Sequence, residues 1–275
     1  MNSLTFLAKA PIPPGVDLSP LQPEKLSGKK IKDIRNIKLH GIGGKFPVHE
    51  IFDISGSNKN IITFKRSSKL FQGIGRHMSR GTIIVHGHAG DYLGAHMSGG
   101  AIKVKGNAGD WMASGMSGGR IEISGNAGDY VAAALPGESY GLLDGLITIW
   151  GNAGDRVGDR MRRGQIYIHG NAGDYIGSRM VAGTILALGK AGYYPGFGMK
   201  RGSIILAEPP EVLPSSFRSC GYLKVEYLRL LFRQLPKMGP RFSFFKKFGP
   251  EACRYAGDLS CNGKGEIFIL QNTQI

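Results

Sequence analysis

A six-residue motif returns at fixed spacing through the middle of this chain. It reads Gly87-His-Ala-Gly-Asp-Tyr, Gly106-Asn-Ala-Gly-Asp-Trp, Gly125-Asn-Ala-Gly-Asp-Tyr, Gly151-Asn-Ala-Gly-Asp-Arg and Gly170-Asn-Ala-Gly-Asp-Tyr, then a degraded Gly189-Lys-Ala-Gly-Tyr-Tyr. The starts differ by 19, 19, 26, 19 and 19 residues. A fixed period near twenty residues constrains the fold more than any local signal, because it demands equivalent units stacked in one direction.

Each unit ends in a short alternating strand, as in Gly100-Ala-Ile-Lys-Val-Lys, Gly119-Arg-Ile-Glu-Ile-Ser and Gly164-Gln-Ile-Tyr-Ile-His. Alternation across a strand sends Ile102 and Val104 to one face and Lys103 and Lys105 to the other. In repeat register Ile83, Ile102, Ile121, Ile147, Ile166, Ile185 and Ile204 form one apolar column. Val85, Val104, Ile123, Ile149, Ile168, Ala187 and Leu206 form a second. Met78, Met97, Met116, Met161, Met180 and Met199 form a third, with Leu142 in the place of a Met. Stacking at about 4.8 Å fuses such columns into one core.

Glycines spaced Gly-x-x-Gly-x-x-x-Gly, as at Gly87, Gly90 and Gly94, mark the corners. Asn and Asp beside them are expected to hold their own turns through local hydrogen bonds. A unit of nineteen residues is too short for two strands joined by a helix, which needs about thirty or more. The expected fold is therefore all-β, a right-handed parallel β-helix of nineteen-residue coils. Gly-Asp-rich calcium repeats have a period of about nine, so the Asp column (Asp91, Asp110, Asp129, Asp155, Asp174) reads as a turn device. A divergent coil at 68–86 keeps Gly75, Met78, Gly81, Ile83 and Val85 in register.

Three segments follow. Residues 1–67 read as a β-rich N-terminal cap, with strands at His49-Glu-Ile-Phe-Asp-Ile and Asn60-Ile-Ile-Thr-Phe. Residues 68–207 are the coils, ended by Pro209, Pro210 and Pro214. Residues 208–275 read as a C-terminal helix and subunit-docking tail. In that helix Leu223, Tyr227, Leu230 and Leu231 share a face that packs on the coils. Phe242, Phe244, Phe245 and Phe248 are expected to be exposed for docking.

The chain carries a formal charge of +15, spread over all three segments. A folded basic surface calls for an anionic partner. No apolar run reaches eighteen residues, and the start of the chain lacks a charged region followed by a long apolar one. Three cysteines, Cys220, Cys253 and Cys261, show no Cys-x-x-Cys pair. The expectation is a cytoplasmic protein with reduced thiols, no membrane span and no bound metal.

The repeat departs from its own pattern in two places. One unit is seven residues longer, with Leu135, Pro136, Gly137, Glu138, Ser139 and Tyr140 inserted; insertions in solenoids map to loops on one face. The turn before each strand also gathers basic groups within one five-residue window of the register: Arg76, His77, Arg80, His96, Arg160, Arg162, Arg163, Arg179, Lys200 and Arg201. Stacked like charges repel, so this ridge suits either an acidic ligand or partner, or a solvated face. Arg binds carboxylates and phosphates bidentately. No zinc-ligand spacing, Gly-x-Ser-x-Gly, P-loop or strand-linked Gly-x-Gly-x-x-Gly is present, so no catalytic residue is assigned. The surface charge also fits a nucleic-acid-binding solenoid. Against that stands the lack of regularly spaced aromatic platforms for base stacking.

The Gly-x-x-Gly-x-x-x-Gly coils, the Gly-Asn-Ala-Gly-Asp-[Tyr/Trp] consensus and the Gly-x-Ile-x-Ile strands resemble the C-terminal GXGXG domain of the glutamate synthase large subunit. They are similar also to the C subunit of formylmethanofuran dehydrogenase. The tail Arg254-Tyr-Ala-Gly-Asp-Leu with Gly263-Lys-Gly-Glu-Ile favours the latter, in the form found in bacterial formyltransferase/hydrolase complexes. That resemblance implies a non-catalytic subunit in tetrahydromethanopterin-linked one-carbon metabolism. Its partners would be the A, B and D subunits of the same complex. It would bind no cofactor covalently, and the polyglutamate tail of methanofuran or methylofuran would be the anion for the basic ridge. The glutamate synthase likeness implies instead a β-helix subunit of an ammonia-transferring enzyme.

Overall fold

The computed structural model describes residues 2–271. Among these the protein is mainly β, with one large mixed sheet of thirteen strands and few helices. The middle of that sheet is a parallel ladder. Ser3–Ala8, Asn58–Ser67, Thr82–Gly87, Ala101–Val104, Arg120–Ile123, Leu146–Ile149, Gln165–Ile168, Thr184–Ala187, Ser203–Leu206 and Gly265–Leu270 lie side by side in that order. Pairing is in repeat register: Ile102 faces Ile121, then Ile147, Ile166, Ile185, Ile204 and Ile267. A second row of parallel bridges runs Ala108, Ala127, Ala153, Ala172, Ala191. The three apolar columns are buried along their whole length, and one continuous core runs from Leu4 to Ile267. A fourth column, missed in the sequence, consists of Leu93, Met112, Val131, Val157 and Ile176.

The Asn and Asp columns act differently from the local turn bonds expected of them. Each Asp side chain accepts a bond from the backbone N–H of the equivalent residue one repeat on: Asp91 from Asp110, Asp110 from Asp129, Asp129 from Asp155, Asp155 from Asp174 and Asp174 from Tyr193. Asn107, Asn126, Asn152 and Asn171 form a second such row. Stacking places the next repeat's N–H within reach of a short side chain, and that donor has no strand partner at a corner. These rows tie repeat to repeat.

The glycine beside each Asp keeps space for this bond. A Cβ on Gly154 would collide with the Asp129 carboxylate, which Asp155 N–H approaches at 2.8 Å. Gly154→Ala is expected to cost about 1–3 kcal/mol through overpacking, read as a lower thermal midpoint. Asp129→Ala in the same chain should recover part of that loss, because it removes the colliding atom.

Both ends of the ladder are covered. At the start Phe52–Ser55 pairs antiparallel with Ser3–Ala8, and Phe6, Phe52, Phe64 and Phe71 pack ring against ring with centroids 5.2–6.0 Å apart. The stretch from His49, read as strand, begins as the short helix Val48–Ile51, because its buried Val48 and Ile51 sit three apart. At the other end Gly265–Leu270, Glu251–Gly257 and Arg218–Lys224 extend the sheet in antiparallel order. Arg218–Lys224 is its last strand.

The C-terminal helix is shorter than expected, Glu226–Gln234, and turns a different face inward. Leu228, Leu231, Phe232 and Leu235 are buried, while Leu223, Tyr227 and Leu230 are exposed. The buried set meets Tyr167, Leu186, Ile205 and Phe268 on the outer face of the last strands and forms a second core. Phe242 and Phe245 belong to that core, and Phe244 and Phe248 are half-buried against it. The expectation that these phenylalanines are exposed is thus overturned: the apolar outer face of the last repeats buries them first. No helix among the described residues is long and apolar enough to cross a membrane.

Candidate functional site

The last residue of each motif has a left-handed backbone. Tyr92, Trp111, Tyr130, Arg156, Tyr175 and Tyr194 all have φ between 56° and 61°. This conformation is costly for non-glycine residues, and its recurrence shows that the corner enforces it. The result is an aromatic column at repeat spacing, which corrects the expectation that no regular aromatic platform exists. The rings of Trp111 and Tyr130 stack with centroids 4.2 Å apart and planes 2° from parallel. In this pair each ring covers one face of the other. Arg156 interrupts the column and lies 4.8 Å from the Tyr175 ring centroid, a cation–π pairing.

The inserted loop folds over this column. Leu135, Pro136, Gly137 and Glu138 form one wall of a cleft of about 350 Å³, and Trp111, Tyr130, Arg156, Arg160 and Arg179 form the other. Glu138 fastens the loop: its carboxylate lies 3.2 Å from His96 Nε2, and its carbonyl accepts a bond from Arg160 Nη1 at 3.1 Å. Tyr140 lies under the Arg162 guanidinium at 4.7 Å. Ser139 is exposed beside it. The two departures from the repeat pattern, loop and basic cluster, thus meet in one place.

The basic residues divide into two rows. His77, His96, Arg160 and Arg179 occupy one register position at the corner, each with φ between 52° and 64°. Arg76 stands beside them, 5.9 Å from the Tyr92 ring centroid. Arg80, Arg163 and Arg201 occupy a position further on, next to the strand starts, with Arg162 and Lys200 between. Arg163 lines a separate open groove with Arg120, Asp144 and Gln165. Of these residues His96, Arg160 and Arg162 contact the loop, and Arg179 lines the cleft beneath it.

Charge in the corner row is partly compensated. Asp159 is buried, at 4% exposure. It accepts bonds from Ser178 Oγ and from Arg179 Nε, each at 2.8 Å, and pairs with Arg179 Nη2. The hydrogen bonds that Arg179 donates to Asp159 hold the guanidinium pKa above its ordinary value. Arg156 and Arg160 have no ion pair among the described residues, which leaves them as the cleft's uncompensated cations.

His77 stacks on His96 with centroids 5.0 Å apart. Partial desolvation of this exposed residue lowers its pKa, helped by the charges of His96, Arg76 and Lys25 and opposed by Asp17. A histidine whose folded pKa is depressed resists protonation in the folded state. Its contribution to stability is full above the ordinary imidazole range, near 6.5, and drains away as pH falls below it. The thermal midpoint is therefore expected to fall from pH 7 to pH 5 more steeply in the wild type than in His77→Gln. Equal slopes would remove His77 from this account.

Among the described residues no group of three or more His, Cys, Asp or Glu is placed to hold a metal ion. The cleft offers three guanidinium groups, a stacked aromatic wall and two carboxylates, Glu138 and Asp159, a cationic surplus that suits an anion. It holds no nucleophile paired with a base.

A family model described as the GXGXG motif matches residues 48–219. The C subunit of the tungsten-containing formylmethanofuran dehydrogenase 2 of Methanococcus maripaludis is 34% identical over 95 residues, which is 34% of this chain and 35% of that protein. The match thus spans about a third of the length of that relative. A chain of the formyltransferase/hydrolase complex FhcABCD from Methylorubrum extorquens, solved in complex with methylofuran, superposes with a TM-score of 0.89 at 33% identity, covering 96% of this chain and 98% of that one. A GXGXG match across more than half the chain and a 33% identical structure that matches end to end place this protein in the family of formylmethanofuran dehydrogenase C subunits, which takes in the bacterial formyltransferase/hydrolase form.

Proposed function

We propose that this chain is a non-catalytic structural subunit of a formyltransferase/hydrolase-type complex. It would scaffold subunits of the A, B and D types in tetrahydromethanopterin-linked one-carbon metabolism. The end-to-end superposition on a chain of such a complex carries this reading, because it includes both ends of the molecule as well as the repeats. The in-register parallel strands and the second row of Ala bridges support closure of the repeats into a right-handed parallel β-helix. The three segments, 1–67, 68–207 and 208–275, would serve as cap, helix and docking end.

The anion for the basic residues would be the polyglutamate tail of a methanofuran- or methylofuran-type cofactor, held without a covalent bond. The loop cleft supports this with Arg156 and Arg160, whose forks match carboxylates. Purification of the tagged chain from its own cells, with mass spectrometry of bound proteins and small molecules, tests the assembly. Recovery with amidohydrolase-like and formyltransferase-like proteins and a polyglutamylated furan is expected; recovery of the chain alone would end this reading. For the cleft, Arg156→Ala with Arg160→Ala is expected to weaken binding of a glutamate oligomer at least tenfold. Unchanged binding would move the ligand elsewhere.

A further inference from the structure

Among the described residues the last strand of the sheet, Arg218–Lys224, has neighbours on one side only, and all seven of its residues are exposed. A strand with one open edge and neither face covered gains little from burial. Beside it Tyr222, Leu223, Tyr227 and Leu230 are exposed by 51%, 38%, 40% and 54%. Tyr227 and Leu230 lie three apart on the helix, on a face that the protein's own core leaves out. Leu223 and Tyr227 also line a cavity of about 660 Å³ that opens next to the strand.

We infer that this open edge and its apolar patch form a docking site for an extended, acidic segment of a partner polypeptide, which adds a strand to the sheet. Unpaired backbone donors and acceptors on the edge would give affinity, and the cavity would take one of the segment's side chains. Charge selects the occupant. From Arg218 to Arg233 the cations are Arg218, Lys224, Arg229 and Arg233, against the one carboxylate of Glu226. Arg229 is spent on Glu226, and Lys224 meets Glu251 only at 3.9 Å. A second copy of this chain would bring the same cationic surplus to an antiparallel edge and be repelled. An acidic strand would neutralise it.

The inference rests on the subunit reading, and one experiment separates the two. The complex is purified from source cells with a photo-cross-linking phenylalanine analogue in place of Tyr222, and amide exchange over residues 218–224 is compared with that of the isolated chain. At least tenfold slower exchange in the complex is expected, with a cross-link to a segment of net negative charge on another protein. Leu230→Glu should abolish that protection while leaving the circular dichroism of the isolated chain unchanged. A complex in which the strand exchanges as fast as in the isolated chain keeps the subunit reading and overturns this one. So does a cross-link to a second copy, or to a neutral or basic segment. A chain recovered alone removes both.

Discussion

Replacing Ile121 by alanine is expected to destabilise the protein by about 2–5 kcal/mol, the cost of a large-to-small change in a packed core. Ile121 is fully buried and sits between Ile102 and Ile147 in the central column. Its Cδ1 methyl also reaches the corner at Gly94. Neighbouring repeats on both sides hold their own buried side chains and cannot close onto the space, so the cavity term is expected in full. The thermal midpoint should fall on the order of 10 °C. Lys103→Ala is the control: that side chain points outward and is exposed, so its removal should stay within about 0.5 kcal/mol. Similar losses at both positions would mean that the alternating strand pattern does not decide burial here.

That pattern is also the part of the fold most legible in the sequence. Stacking forces equivalent positions into contact, so Met97, Met116 and Met180, or Ile102, Ile121 and Ile185, have to satisfy the same environment and look alike. The C-terminal packing was less legible because the partner surface lies far away in sequence. A signal for it existed. The outward position of successive strands changes from Lys103 and Glu122 through Thr148 to Tyr167, Leu186 and Ile205, and the helix and phenylalanines cover the apolar end of that series. Helical spacing selects Leu223, Tyr227, Leu230 and Leu231, of which Leu231 alone is buried; it reports that a face is apolar, not what covers it.

The candidate site was half legible. The insertion and the basic cluster both stood out as departures from the repeat, but their meeting depends on where the loop folds. Glu138 decides this through His96 and Arg160. The aromatic column was visible as the last letter of the motif and went unread. The left-handed backbone at that position brings Trp111 and Tyr130 face to face. The inter-repeat Asp bonds escaped notice for a related reason: sequence proximity favours a local partner, whereas stacking brings a donor nineteen residues away just as near.

Arg179→Ala is expected to be more damaging than Asp159→Ala, although both break the same pair. Removing Arg179 leaves the Asp159 carboxylate buried with Ser178 as its remaining side-chain donor. Stranding a buried charge costs about 3–5 kcal/mol, and the outer part of Arg179 is open to water, with 44% of its side chain exposed, which places the loss near about 3 kcal/mol. Removing Asp159 lets Arg179 swing into solvent and leaves mainly the Ser178 hydroxyl without a partner, about 1–3 kcal/mol. The double variant should be less destabilised than Arg179→Ala alone, because no charge is then left behind. Thermal and urea unfolding of the three variants read this order directly. If Asp159→Ala proves the worse of the two, the carboxylate is hydrated in solution and the corner is more open than its geometry indicates. The same pair also bears on the cleft: with Asp159 gone, Arg179 joins Arg156 and Arg160 as a free cation, so an anion that binds there should bind Asp159→Ala more tightly than the wild type.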